Sequence, residues 1–122
     1  RIAAKTVLRM QREFGTRPED VLAAIGPSIG PCCYEVGPEV ERQFQEAFSG
    51  HEAALFSHPD AVGGTHLSLW AANRLQLEEI GVLREHIDEA RTCTACHHED
   101  FFSYRADGGQ TGRLGAVIAL RS

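Results

Sequence analysis

The sequence predicts a mixed fold, α/β or α+β, on three observations. Apolar residues recur at helical spacing in three stretches, short continuous apolar runs mark buried strands, and the two patterns intermix without internal repeats or low-complexity tracts.

Ile2, Val7, Leu8 and Met10, with Ala3 and Ala4, form one face of a first helix, Lys5, Arg9 and Arg12 fill the other, and Gly15 stops it. Residues 16–20 are polar and hold Pro18. The apolar run 21–25, closed by Gly26, then has the pattern of a strand buried on both faces. Residues 26–31 hold two prolines and two glycines in six positions, so they form a loop with a largely fixed backbone. A strand resumes over 33–36. Pro38, where a missing amide donor costs nothing, opens a second helix whose apolar stripe is Val40, Phe44, Ala47 and Phe48. Residues 49–65, polar and broken by Pro59, Gly63 and Gly64, read as a long irregular connection. Ser68 caps a third helix over 69–80, with Ala72, Leu75 and Leu77 inside and Gly81 as its stop. A strand over 87–93, an aromatic strand over 101–105, a turn over 106–109 and a final buried strand over 114–120 complete the expected series.

The chain has 122 residues, 43% hydrophobic and 24% charged, the proportions of one ordinary globular domain with enough core to fold without disulfides. Twelve basic residues face 17 acidic ones, a net charge of -5, and no basic stripe occurs, which argues against a nucleic-acid partner. The longest apolar run is far too short to span a bilayer, and no charged-then-apolar leader precedes Arg1, so a cytoplasmic location with no membrane partner is expected. An opening that runs from Arg1 straight into a helical pattern suggests a piece of a longer protein.

Several residues carry candidate chemistry. Cys93 to His97 matches the C-x-x-C-H pattern of covalent haem attachment, but an acidic mixed chain with no obvious second axial ligand near Met10 argues against haem. The same stretch could seed a zinc site, yet the only other cysteines, Cys32 and Cys33, are adjacent, a poor chelate geometry, so no metal is expected on this chain. The four cysteines read instead as reduced thiols. A Cys32 or Cys33 nucleophile lacks any signal of a depressed pKa in the sequence. The loop from Gly26 to Gly30 could offer backbone amides to an anion, although it is no P-loop and its prolines remove donors. Arg105 and Arg113 flank a glycine turn and could grip phosphate or carboxylate with two parallel donors; for Arg113 an ion pair with Glu35 or Asp107 is the structural alternative.

From Gly26 through Cys32-Cys33-Tyr34-Glu35-Val36 to Gly37 the sequence resembles the YfiH family, also described as laccase-like multicopper polyphenol oxidases and as purine nucleoside phosphorylases. Three further stretches agree in order and spacing: His66 to Leu77, Cys93-Thr94, and Phe101 to Arg105 continuing through Thr111-Gly112-Arg113. The resemblance implies a single unit over 1–122 that forms the C-terminal half of a layered αββα fold with a mixed sheet, hence α+β, its N-terminal half being absent.

What the family implies about function follows from that match. The expected activity of the intact parent is zinc-dependent phosphorolysis of purine nucleosides with phosphate, together with adenosine deamination. Peptidoglycan editing and copper-dependent polyphenol oxidation are the enzymatic alternatives. A non-catalytic binding unit, whose partner could be the missing N-terminal half, is the alternative of another class. The family's zinc ligands, two histidines and a cysteine, sit on segments that do not occur here, so zinc, or less plausibly copper, belongs to the parent and the isolated stretch is expected to be inactive. Gly26, Pro27, Ser28, Ile29 and Arg113 are the expected substrate-binding residues; the sequence assigns no catalytic residue.

Overall fold

A computed structural model describes residues 1–59 and 63–121; residues 60–62, inside the predicted irregular connection, lie outside the described part. Helix α1 (Ile2–Phe14) ends where Gly15, at φ 66°, turns left-handed and returns its N–H to the carbonyl of Gln11, a conformation that favours glycine. After a short 3-10 turn at Pro18–Asp20 come β1 (Ala23–Ile25), β2 (Glu35–Val36) and α2 (Pro38–Ala47). The chain continues through α3 (Glu52–Leu55), β3 (Phe56–Ser57), β4 (Thr65–Leu67), α4 (Leu69–Glu79) and, after a 3-10 turn at Arg84–His86, β5 (Ile87–Glu89). Ser68 caps α4 as expected, its Oγ accepting the Ala71 N–H at 3.2 Å.

Two small sheets result. β1 pairs with β5 in parallel, Ala23 opposite Ile87, and β4 is the centre of an antiparallel sheet ordered β2-β4-β3. The class is α+β, with parallel and antiparallel pairing. Each sheet has its own apolar cluster: Val7, Val21, Leu77, Val82 and Ile87 beside the parallel pair, and Phe48, Leu55, Leu67 and Ala72 beside the antiparallel sheet. Helix α4 joins them, since Leu77 enters the first cluster and Ala72 the second. Gln76, on the same helix and buried, accepts the Ala4 N–H through Oε1 at 3.4 Å, so a first-turn amide of α1 that has no partner within its helix is satisfied from α4.

Polar contacts also tie α4 to β5. Arg74 donates to the Ile87 carbonyl at 3.3 Å and to Glu89 Oε2 at 3.0 Å. The Glu89 side chain is 8% exposed; its desolvation opposes ionisation, but Arg74 and Arg91 outweigh that and hold its carboxyl below the ordinary range. A depressed carboxyl stabilises the fold above the unfolded value, about 4.3 for glutamate, and that contribution is lost as pH falls through the folded value. Glu89→Gln is therefore expected to cost about 1 to 2 kcal/mol at neutral pH and to flatten the acid side of the melting-temperature profile. Thermal denaturation between neutral pH and pH about 3 checks it, and a parallel profile for parent and variant would show that the pair contributes nothing.

Several expected elements are corrected. The run 21–25 yields a strand only at Ala23–Ile25, and Leu22, just before it, is 57% exposed, so the run is not covered on both faces. The strand expected over 87–93 stops at Glu89; beyond it Cys93 makes only an isolated bridge with Ser28. Residues 101–105 form no strand. There Asp107 accepts the Ser103 N–H at 3.3 Å and returns its own N–H to the Ser103 carbonyl at 2.9 Å, so side-chain and turn bonds displace a ladder. Residues 114–120 form no strand either, and they are exposed, Val117 and Leu120 almost completely. An apolar run becomes a buried strand only where another strand pairs with it, and none does so among the described residues. The connection 49–65, in contrast, contains α3 and β3, which pairs with β4 through Phe56 opposite Leu67.

Candidate binding cleft and thiol cluster

The loop 26–31 is fixed from both sides. The Ser28 N–H donates to the Thr92 carbonyl at 3.2 Å, and the Thr94 N–H donates to the Ser28 carbonyl at 3.1 Å. Two residues on, buried Gly30 admits no side chain, since a Cβ there would lie 2.7 Å from the Trp70 ring and 3.2 Å from Cys93 Cβ. His66, on β4, holds the Pro31 carbonyl through Nδ1. The Trp70 indole N–H donates to Ser28 Oγ at 2.8 Å. This leaves the hydroxyl proton of Ser28 free to be donated outward.

Outward from Ser28 lies a cleft of about 430 Å³. Of the five residues expected to bind substrate, Pro27, Ser28, Ile29 and Arg113 line it, while Gly26 faces an adjacent groove with Leu114 and Ala116. Tyr34, Thr94, Phe102, Ser103, Tyr104 and Arg105 complete the lining. The sequence carries a signal for the aromatic members, the dense stretch 101–105, but its strand pattern hides that the segment is a turn.

The two guanidinium groups define the electrostatics. Arg105 lies over the Tyr34 ring at 5.3 Å and Arg113 over the Tyr104 ring at 5.6 Å. Their hydrogen bonds go to backbone carbonyls, Arg105 to Glu35 and Arg113 to Gly112. The acids expected to neutralise Arg113 are engaged elsewhere. Glu35 accepts the Gly64 N–H at 2.9 Å, and Asp107 accepts the Thr111 hydroxyl at 2.9 Å. Among the described residues neither arginine pairs with a carboxylate, so the cleft offers two cations beside aromatic rings. That combination can hold an anion and stack a planar base.

Behind the loop the four cysteines meet. Sγ of Cys96 is 3.4 Å from Sγ of both Cys32 and Cys33, and all four sulfurs lie within 4.8 Å of one another. Adjacency of Cys32 and Cys33 thus does not keep that pair from Cys93 and Cys96, and the geometric objection raised by the sequence falls. Burial opposes ionisation of Cys93, but the Gly30 and Cys96 amides that donate to its sulfur, at 3.2 and 3.4 Å, bring it down to about 6. Contact with Cys96, and then desolvation, push Cys33 up to about 11, and desolvation with the neighbouring thiols pushes Cys32 up as well. Cys93 is buried and does not line the cleft, and Cys32 and Cys33 carry no depressed value, so the sulfurs gain no attacking role there.

The chain belongs to the multi-copper polyphenol oxidoreductase laccase family, the YfiH-like proteins, whose model matches residues 1–121. It is 44% identical over 120 residues to a purine nucleoside phosphorylase of Bacteroides thetaiotaomicron, covering 98% of this chain and 44% of that protein. It is 40% identical to the adenosine deaminase RL5 of an unknown prokaryotic organism, covering 93% of this chain and 42% of that protein. The crystal structure of the Bacillus licheniformis hypothetical protein YfiH superposes with a TM-score of 0.82 at 36% identity, covering 91% of this chain and 41% of that one. The chain therefore spans less than half the length of these relatives.

Proposed function

We propose that the protein to which this chain contributes is a zinc-dependent purine nucleoside phosphorylase, and that these 122 residues supply its phosphate and nucleoside cleft. The observation that carries the reading is the cleft itself, with two unneutralised arginines and aromatic rings around the Ser28 hydroxyl. In phosphorolysis a hydrogen phosphate oxygen bonds to the anomeric carbon while the glycosidic bond breaks toward the purine. The proton that the phosphate gives up balances the one the departing base takes. Arg113 and Arg105 hold the anion, Ser28 donates to the nucleoside, and Tyr34, Phe102 or Tyr104 offers a face to the base.

The metal of this reading belongs to residues outside the chain. Among the described residues the potential ligands that cluster are all sulfur, and a closed thiol set does not fit an open catalytic site that keeps a position for water. Nor does it fit the imidazole-rich sites of a copper oxidase, so polyphenol oxidation draws no support from this half. Cytoplasmic residence and the absence of a nucleic-acid or membrane partner remain part of the proposal. The supporting facts are the acidic charge and the lack, among the described residues, of any helix long and apolar enough to cross a membrane.

The partner of the chain follows from its exposed apolar face. Leu22, Ile118 and Leu120 line one groove with Met10, and Ile2, Leu8 and Phe14 line another along α1. A face of this size is costly to leave in water. Its proposed cover is further polypeptide of the same protein, consistent with relatives more than twice this length.

The test uses the full-length protein with adenosine and inosine. Phosphate-dependent release of free purine is expected, and Ser28→Ala is expected to raise KM for the nucleoside about 5- to 10-fold, the loss of one hydrogen bond, with zinc content unchanged. Kinetics identical to the parent would leave Ser28 as a turn residue that serves Trp70. The relative named adenosine deaminase favours a second reading, and release of ammonia from adenosine without phosphate would select it.

A further inference from the structure

We propose that Cys32, Cys33, Cys93 and Cys96 form a structural zinc site of four thiolates, separate from any catalytic metal and located behind the binding loop. The spacing supports one ion. Sulfurs bound to zinc at about 2.3 Å in a tetrahedron stand about 3.8 Å apart; here Cys96 Sγ is 3.4 Å from Cys32 and Cys33 Sγ and all four sulfurs lie within 4.8 Å of one another, a spacing that one ion can bridge. The chain is also arranged for thiolates. Gly30 and Cys96 aim backbone N–H groups at Cys93 Sγ, and a turn closed by the Cys33 N–H on the Gly30 carbonyl brings both adjacent cysteines to Cys96. Amides pointed at sulfur stabilise the charge that four ligands concentrate, which zinc reduces to a net of two negative charges.

A disulfide explains the cluster less well. A single disulfide would leave two sulfurs unused, and with Cys96 equally close to Cys32 and Cys33 the arrangement singles out no pair. Among the described residues the donor set is sulfur alone, with no imidazole or carboxylate in the cluster. Soft thiolates in a tetrahedron suit zinc, and a closed four-ligand site is structural. The consequence is mechanical. The ion would clamp the turn 30–33 to the turn 93–96, and the residues beside its ligands, Tyr34 and Thr94, line the cleft.

The experiment is metal analysis of the full-length protein purified reduced and without chelator. The parent is expected to hold one zinc per chain more than the Cys32→Ser/Cys96→Ser variant. Cobalt substitution of the unaltered protein, which needs no variant to fold, is expected to give the intense sulfur-to-metal charge-transfer bands and ligand-field bands of a tetrahedral tetrathiolate. Equal zinc in parent and variant overturns the proposal. So do a cobalt spectrum without a tetrathiolate component, iron or copper replacing zinc at the four thiols, and a thiol count showing a disulfide among them in the reduced preparation. The test is independent of the phosphorylase reading, because zinc content and cobalt spectra need no substrate.

Discussion

Leu67→Ala is expected to lower the unfolding free energy by about 3 to 4 kcal/mol, the range for removing a fully enclosed leucine from a core that closes only partly around the gap. Leu67 is 0% exposed and sits on β4, the central strand of the antiparallel sheet, against Phe48, Leu55 and Ala72. Its neighbours Phe48, Leu55 and Ala72 are themselves buried, so the gap lies inside a closed cluster. The effect reaches the cleft, because the Leu67 N–H donates to the Tyr34 carbonyl at 3.0 Å and its neighbour His66 holds Pro31. Urea denaturation should show a lower midpoint with an unchanged slope. Leu83→Ala, at a site 39% exposed, is the comparison and should cost less than about 1 kcal/mol. Equal losses at the two sites would mean that Leu67 is not the centre of its cluster.

The three longer helices were legible because their signals are local, whereas the four-residue α3 lies in a stretch that reads as an irregular connection. Gly15 and Ser68 end and begin helices through one backbone angle and one hydroxyl, and both are visible without knowing what lies nearby. Strands were less so. The run 114–120 has the composition of a buried strand, but pairing is decided by another segment, and composition does not say whether that segment is present. At 101–105 the deciding group was the Asp107 side chain, outside the apolar pattern that suggested a strand. The cleft was half legible: the loop 27–29 and Arg113 are marked by proline, glycine and arginine, whereas Thr94 and Ser103 enter only through the bridge between residues 28 and 93 and the turn at 103–107. The thiol cluster was misjudged for the same reason. Adjacency of Cys32 and Cys33 predicts poor chelate geometry, but the fold brings Cys96 to them from 64 and 63 residues away.

Arg113→Ala in the full-length protein is expected to raise the apparent constant for phosphate about 10- to 100-fold while moving the melting temperature little. The guanidinium is exposed, makes one hydrogen bond to the neighbouring Gly112 carbonyl, and pairs with no carboxylate among the described residues, so the fold gains little from it. What it faces is the cleft, where a bound phosphate would receive two parallel donors at a charge-assisted strength of about 1.5 to 3 kcal/mol. Arg113→Lys separates charge from shape. Lysine keeps the cation but loses the planar fork and its stacking over Tyr104, so it should raise the constant by an intermediate amount, about 3- to 10-fold. Nucleoside KM at saturating phosphate should change less than the phosphate constant in both variants, because the lost contact is to the anion. A large fall in melting temperature with unchanged phosphate dependence would instead place Arg113 in the fold, through its contact with Tyr104, and leave Arg105 as the cation that phosphate meets.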